Sequence, residues 1–451
     1  MSDAIDAAWE ERILPVLSDY TRIPCLSPAF DPDWAERGAI AAAAELLRDW
    51  VRDQDRTLTT EIVQLPGRTP VLLVDNGGTG DPIVIYGHMD KQPPLGEWRQ
   101  GLGPYEPVRE GDLLYGRGTA DDGYSTFAAV TALVEAGGGH GRVLVLVEAS
   151  EESGSPDLGA YLEHLAPRIG TPRLVLCLDS GGLSYDRLWL TTSLRGMLIV
   201  TVTVDVLTEG IHSGQGGGVV PSSFRILRRI LSRIEDEADG RILLPELLGA
   251  GMPDAHRKNL DELAVEFPDS GYPVVDGLHL LGADARARLA ARTWGAALEV
   301  VGADGLPKPR DAGSVLRPST TLKLALRLPP DVDAQAACDA LISAIRTDEG
   351  AHVTIDVVGM AQGWVAPPLD ADVAATLDRV SKERFGRAAG AVGEGGSIPF
   401  LADLQKGFPG VQFVATGVIG PHSNAHGPNE SLHIPMAKAV THLVAELLKA
   451  N

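Results

Sequence analysis

Cysteine is scarce in this chain, long apolar runs are missing, and positive charge is in deficit. Each lack removes a class of protein. Only three cysteines occur in 451 residues. Cys25, Cys177 and Cys338 are far apart and odd in number, so they make neither a disulfide framework nor a metal-binding cysteine spacing. A reduced, cytoplasmic protein is expected. No apolar run approaches the roughly 18 residues that argue for a membrane helix. The opening stretch, MSDAIDAAWEERILPVL, is acidic and amphipathic and lacks the basic start and apolar block of a secretory leader. Lys and Arg total 39 against 61 Asp and Glu, a formal net charge of −22. A nucleic-acid surface needs a basic patch. Neither nucleic acid nor a membrane is therefore an expected partner. The glycines of GIHSGQGGG suggest a phosphate loop, but no Lys-Ser or Lys-Thr follows them, so the Walker pattern fails.

What is present is an ordinary globular composition, 44% hydrophobic and 22% charged. The length suggests about two to three domains. Over the first 190 residues, helical and strand patterns alternate. Ala35 to Trp50 has helical spacing. PVLLVDN, DPIVIYGHMD, RVLVLVEASEE and RLVLCLDSGG are short apolar runs ending in polar clusters, as buried strands do. A helix is expected from about Asp122 to Ala136, with Phe127, Val130, Leu133 and Val134 inward. This alternation points to an α/β fold with a mostly parallel sheet flanked by helices. From about Leu194 the pattern changes. LRGMLIVTVTVDV reads as a long strand, and Val219 to Ile234 contains an amphipathic helix with Phe224, Leu227, Ile230, Leu231 and Ile234 inward. TLKLALRLPP alternates strictly, which puts Arg327 on the polar face. A helix (Ala334 to Ile345) and a strand (His352 to Val358) follow. These elements read as a small α+β layer inserted into the first domain. The expected division is 1–193 with 361–451, interrupted by 194–360. Residues 240–310 are given no role. VQFVATGVIG and a helix from Pro435 to Lys449 return to the first domain.

The ends of the first domain's strands carry the chemistry. YGHMD supplies His88 and Asp90, GRGTADDG supplies Asp121 and Asp122, ASEES supplies Glu151 and Glu152, and CLDSGG supplies Asp179. PHSNAHGPNE adds His422 and His426. Imidazole with carboxylate suits zinc, manganese or cobalt rather than calcium, which prefers oxygen alone. Two metals sharing a carboxylate would explain why so many acids converge, and such a pair can activate water for hydrolysis. Residues two apart on a strand share a face. Asp90 is thus expected to accept the second ring N–H of His88 and orient it.

The ordered set GHMD, GRGTADDG, SEES, LDSGG and HGPNE resembles the di-zinc metallopeptidase family of carnosine and cytosolic dipeptidases, aminoacylases and succinyl-diaminopimelate desuccinylase. The resemblance runs over essentially the whole chain. It implies a catalytic domain interrupted by a ferredoxin-like lid and dimerisation domain, and hence a homodimer. It implies two divalent ions, zinc first with manganese or cobalt as alternatives. His88 and Asp179 would hold one, Glu152 and His426 the other, and Asp121 would bridge them. Glu151 would be the general base. His212, in GIHSGQGGG, would reach across the dimer to the substrate carbonyl oxygen, and Arg327 would grip a substrate carboxylate. GEGGSIP resembles the dipeptidase branch in particular and would bring Gly396 and Ser397 to the same carboxylate. Ser314 falls where that branch has a hydroxyl residue near the substrate.

Departures are few. The chain reads Asp121-Asp122-Gly123-Tyr124 where the family often has DDKG. Extra histidines that accompany carnosine activity before GGSIP are missing from WVAPPLDADVAATLDRV. The resemblance therefore implies a dipeptidase acting beside a free C-terminal carboxylate, without pointing to carnosine. An amidohydrolase of N-acyl amino acids uses the same centre and stays open. So does a catalytically silent scaffold on this fold.

Overall fold

The computed structural model describes residues 2–137, 141–267, 272, 274–346, 350–396, 399–408 and 410–449. Two compact units emerge. The first comprises Met1–Thr192, Ala366–Val392 and Asp403–Asn451; the second comprises Ser193–Val365 and Gly393–Ala402.

In the first unit a sheet orders its strands as Thr59–Val63, Val71–Asp75, Val143–Glu148, Ile83–His88, Leu174–Cys177, Gln412–Ala415 and Trp189–Leu194. Ile83–His88 is parallel to both Val143–Glu148 and Leu174–Cys177, and Gln412–Ala415 is parallel to Leu174–Cys177. The outer pairings are antiparallel. The sheet is thus mixed, with a parallel centre, where a mostly parallel one was expected. The stretch joining Thr59–Val63 to Val71–Asp75 is too short for the crossover that parallel pairing requires. Ile83–His88 and Val143–Glu148 are buried along their whole length, which is why they read as unbroken apolar runs.

Helices cover this sheet. Tyr124–Glu135 is buried from Tyr124 to Leu133, more completely than a single inward face would require. It packs with Ile434–Lys449 and Ala39–Gln54 in one core that includes Phe127, Val130, Leu47 and Val440. The helix expected over Ala35–Trp50 is two helices, Trp34–Arg37 and Ala39–Gln54. Gly38, at φ 70°, ends the first in the left-handed region that glycine adopts freely.

The second unit follows a β-α-β-β-α-β order: Gly196–Asp205, Ser223–Ile234, Ala297–Asp304, Ser319–Leu328, Ala334–Ile345 and His352–Ala361. These four strands form an antiparallel sheet in the order Ala297–Asp304, Ser319–Leu328, Gly196–Asp205, His352–Ala361. This is the ferredoxin-like arrangement. Leu322, Leu324, Leu326 and Leu328 face a core shared with Leu227, Ile230, Ile234 and Leu341. Phe224 was expected inward on Ser223–Ile234 but is 42% exposed, and Ile226 is buried at 2% in its place. The buried stripe runs through Ser223, Ile226, Leu227, Ile230 and Ile234, and position 224, one helical step on from Ser223, falls outside it. Ala297–Asp304, from the stretch without an assigned role, is an edge strand whose alternation is broken by an irregularity between Val300 and Gly302. Among the described residues no helix is long and apolar enough to cross a membrane.

Leu326 is fully buried whereas Lys323, on the opposite face, is exposed. Leu326→Ala is expected to destabilise the second unit by roughly 2–5 kcal/mol. Lys323→Ala should stay within about 0.5 kcal/mol. Denaturant unfolding of both variants checks this, and equal midpoints would contradict the assignment of faces.

Candidate metal centre

Strands that run parallel bring their carboxyl ends to one edge of a sheet, where ligands bind in such folds. His88 ends Ile83–His88, paired in register with Glu148 of the neighbouring strand. Beyond Glu148 the chain turns, and Glu151 and Glu152 open the short 3₁₀ helix Glu151–Ser153. Asp179 follows Leu174–Cys177 by two residues. Asp121 lies just before the helix Tyr124–Glu135, and the Asp121–Asp122 peptide bond is cis. His426 sits in the loop before Ser431–His433, with its backbone in the left-handed region at φ 64°.

Two overlapping groups of donor atoms result. Ligand atoms of His88, Asp121 and Glu152 lie within 4.8 Å of one another, and so do those of His88, Glu151 and Asp179. Asp121 faces both ways. Its Oδ1 is 3.4 Å from Nε2 of His88, and its Oδ2 is 3.0 Å from Nε2 of His426. Asp179 Oδ2 is 3.8 Å from the same His88 nitrogen, and Glu152 Oε2 is 3.2 Å from Nε2 of His426. His88 Nε2 is buried yet engages no hydrogen bond. Ligands about 2.0–2.2 Å from a tetrahedral ion stand about 3.3–3.6 Å from each other. The 3.4 Å separation at His88 suits neighbours around an ion, whereas the 3.0 and 3.2 Å separations at His426 are hydrogen-bond distances.

The electrostatics agree. Burial, then Asp179, pushes the Glu151 carboxyl well above its ordinary range. Burial and Asp121 push Glu152 up to about 7. Burial pushes Asp179 up to about 6 against the pull of His88. Burial opposes protonation of His426, but Asp121 and Glu152 outweigh it and raise the imidazole to about 11. So many acids cannot ionise together unless cations balance them. The donor set therefore fits a dinuclear centre of divalent ions, with the mixture of imidazole and carboxylate that zinc, manganese and cobalt accept.

A further layer of residues holds these donors. The two carboxylate oxygens of Asp90 accept the backbone N–H groups of Glu151 at 3.1 Å and Glu152 at 3.0 Å. His88 Nδ1 stands 3.1 Å from the Asp90 carbonyl oxygen and 3.5 Å from its carboxylate. The hydrogen bonds of the Asp90 carboxylate thus go to the glutamate turn, and its backbone carbonyl is the nearer partner of the His88 ring. Glu430, unassigned from sequence, accepts the N–H groups of Gly118, Ala120 and Asp121 and pairs with Arg117 at 2.6 Å, both side chains being buried. Its signal was the closing NE of the HGPNE motif. Asp122 accepts the N–H of His88 at 3.1 Å. That approach needs Gly87, because a Cβ there would stand 2.6 Å from the Asp122 carboxylate and would overlap Ser125. Gln92 donates to Glu152 at 2.7 Å.

The remaining candidates belong to the second unit. His212 and Ser314 are neighbours: His212 pairs with Val315, and the Ser213 N–H donates to the Ser314 carbonyl at 2.9 Å. His212 Nδ1 accepts the Gly214 N–H at 3.0 Å, so the neutral ring carries its proton on Nε2. Arg327 lies between Met197 and Ala297 on the adjoining strands. Gly396 is exposed, and Ser397 lies outside the described residues.

A mixed α/β sheet carrying paired acid and imidazole donors at its strand ends defines a two-metal hydrolase. Residues 84–450 match the profile of peptidase family M20/M25/M40, and the chain belongs to that family. The cysteinylglycine-S-conjugate dipeptidase of Corynebacterium striatum is 28% identical over 446 residues, covering 95% of this chain and 94% of that protein. Among solved structures, the M20 metallo-carboxypeptidase Sso-CP2 from Sulfolobus solfataricus is similar with a TM-score of 0.80 at 21% identity, over 98% of this chain and 100% of that one. The di-peptidase Dug1p from Saccharomyces cerevisiae is similar with a TM-score of 0.77 at 21% identity, over 99% and 97%. These structural likenesses show the fold.

Two predictions follow from the geometry. Glu430→Gln weakens the hold on the Asp121 turn without touching a donor, and should lower metal affinity about 10–100-fold. Chelator competition measures this, and wild-type affinity would refute the role. The second concerns protons. Before an ion enters, His426 keeps its proton up to about 11 and Glu152 titrates near 7, and both must lose protons to serve as ligands. Adding zinc at pH 7 should therefore release protons, and affinity should fall as the pH is lowered. An indicator titration in weak buffer that shows no acidification would contradict this.

Proposed function

We propose that the chain is a metal-dependent dipeptidase that cleaves the amide bond beside a free C-terminal carboxylate. The observation that carries the reading is the two-way carboxylate of Asp121, with His88 and Asp179 beside one oxygen and His426 and Glu152 beside the other. The dipeptidase names of the Corynebacterium striatum and Saccharomyces cerevisiae relatives support it. In this reading His88 and Asp179 hold one ion, Glu152 and His426 the second, and Asp121 is shared. Zinc is the first choice, with manganese or cobalt compatible. The ions supply an acidified water and polarisation of the scissile carbonyl.

The chain's own groups do the rest. Glu151 takes a proton from the attacking water and returns it to the leaving amine. Burial and Asp179 raise its carboxyl, which suits a group that must both accept and give a proton near neutrality. Asp90 fixes the turn that holds Glu151 beside Glu152. His212, with its proton on Nε2, donates to the oxygen on which charge builds. Arg327 takes the substrate carboxylate, for which a planar guanidinium is suited, and the same reading assigns Gly396, Ser397 and Ser314 to substrate binding.

A homodimer through the second unit belongs to the same reading. The strand His352–Ala361 is an outer strand of its sheet and exposes Val357, Val358 and Met360, a surface that a second copy can cover. Three buried free thiols suit a reducing, cytoplasmic setting.

The test is hydrolysis of a dipeptide panel, set beside N-acetyl and N-succinyl amino acids, by metal-stripped protein with and without zinc, manganese or cobalt. Metal-restored dipeptide cleavage is expected, and turnover of acylated amino acids alone would replace the dipeptidase with an amidohydrolase. Glu151→Gln should keep both metals and lose about 10²–10⁴-fold in kcat. Full activity in that variant would remove the proton-transfer role.

A further inference from the structure

Basic residues are in the minority in this chain, yet three arginines gather within the second unit. Arg195 directly precedes the strand Gly196–Asp205, and its neighbour Gly196 pairs with Leu328. Met197 pairs with Arg327. Residues two apart share a face, so Arg195 continues the face that Met197 and Arg327 occupy. Arg195 is also tied down. Its N–H meets the Glu394 carbonyl at 3.4 Å and its Nε meets the Gly395 carbonyl at 3.3 Å. Its Nη1 meets the carbonyls of Ala291 and Gly295, at 3.2 and 3.1 Å, at the end of the helix Ala285–Trp294. Arg292 belongs to that last turn. A Cβ built on Gly395 would lie 3.1 Å from the Arg195 guanidinium and 3.7 Å from Cγ of Arg292.

The three charges feel one another. Burial, then Arg327 and Arg292, lowers Arg195 to about 10. Arg292 and Arg327 are half-buried, and among the described residues their guanidinium groups have no hydrogen-bond partner. The acid beside Arg292 is Glu394, which burial pushes up toward its neutral form against the pull of that arginine. Among the described residues, Arg292 and Arg327 are thus left with guanidinium groups that no acid takes up in a hydrogen bond. One carboxylate needs one such fork, and two are free.

We propose that Arg195, Arg292 and Arg327 form an anion site for a C-terminal residue with two carboxylates, an aspartate or glutamate. Arg327 takes the main-chain carboxylate and Arg292 the side-chain carboxylate. Arg195 is a positioning residue that fixes the Glu394–Gly395 turn against the helix end. The role given to Arg327 rests on the dipeptidase reading above; the Arg292 subsite does not.

The first measurement is calorimetric titration of the full chain with L-glutamate and with L-alanine, independent of turnover. Glutamate should bind more tightly, and Arg292→Gln should lose the difference. The second is the ratio of kcat/KM for alanyl-glutamate over alanyl-alanine with metal-loaded enzyme. That ratio should fall about 10–100-fold in Arg292→Gln, mainly through KM, as expected for the loss of a charge-assisted contact. Arg292→Lys, which keeps the charge, should retain more of it. Equal binding of glutamate and alanine by the wild-type protein overturns the site, and so does an unchanged ratio in Arg292→Gln. A glutamate preference that Arg292→Gln abolishes, in an enzyme that cleaves neither peptide, leaves the anion site standing and overturns the dipeptidase reading instead.

Discussion

The first unit depends on one electrostatic constraint: negative charge concentrated where water is largely excluded. Asp121, Glu151, Glu152 and Asp179 share the edge of the sheet at which His88 ends its strand. Burial raises Glu151, Glu152 and Asp179 and neighbouring carboxylates raise them further, while His426 and His88 outweigh burial and hold Asp121 low. Divalent ions are the partners that let such a group ionise together. The fold supplies the position because parallel strands open their carboxyl ends on a common side. It supplies the rigidity through residues that never touch an ion. Asp90 clamps the glutamate turn by two backbone N–H groups. Glu430 does the same for the Asp121 turn by three, and is balanced by the buried Arg117. A buried pair of that kind adds little net stability but is destabilising to break, so it serves placement more than strength.

The second unit has the opposite polarity at its candidate site. Its sheet presents a leucine face to two helices and leaves the other face for Arg327 and its neighbours. Guanidinium groups there have few acids to answer them, whereas the metal centre has acids in excess.

Much of this was legible along the chain. Buried strands showed as apolar runs closing in polar clusters, and His88, Glu151, Glu152 and Asp179 stood at such closes, while Asp121 preceded a helix and His426 lay in a loop. The strict alternation of TLKLALRLPP placed four leucines in the core and Arg327 opposite them, as found. Other features left no trace that pattern could catch. The strand Ala297–Asp304 hides its alternation behind an irregularity at Val300 and Gly302. The break at Gly38 splits a helix that periodicity alone would run together. The antiparallel pairing of Thr59–Val63 with Val71–Asp75 follows from the length of their connection rather than from strand composition.

The candidate donor residues and their order could be read from sequence alone, because the chemistry of imidazole and carboxylate is carried by the side chains themselves and the place of His88, Glu151, Glu152 and Asp179 after strands is a local property. Which oxygen of Asp121 faces which histidine, what Asp90 and Glu430 hold, and how Arg195 joins Arg292 and Arg327 were decided only by tertiary structure. Those contacts join residues up to some three hundred positions apart, as Gly118 and Glu430 are. Only the folded sheet, by closing the distance between its strand ends, sets their geometry.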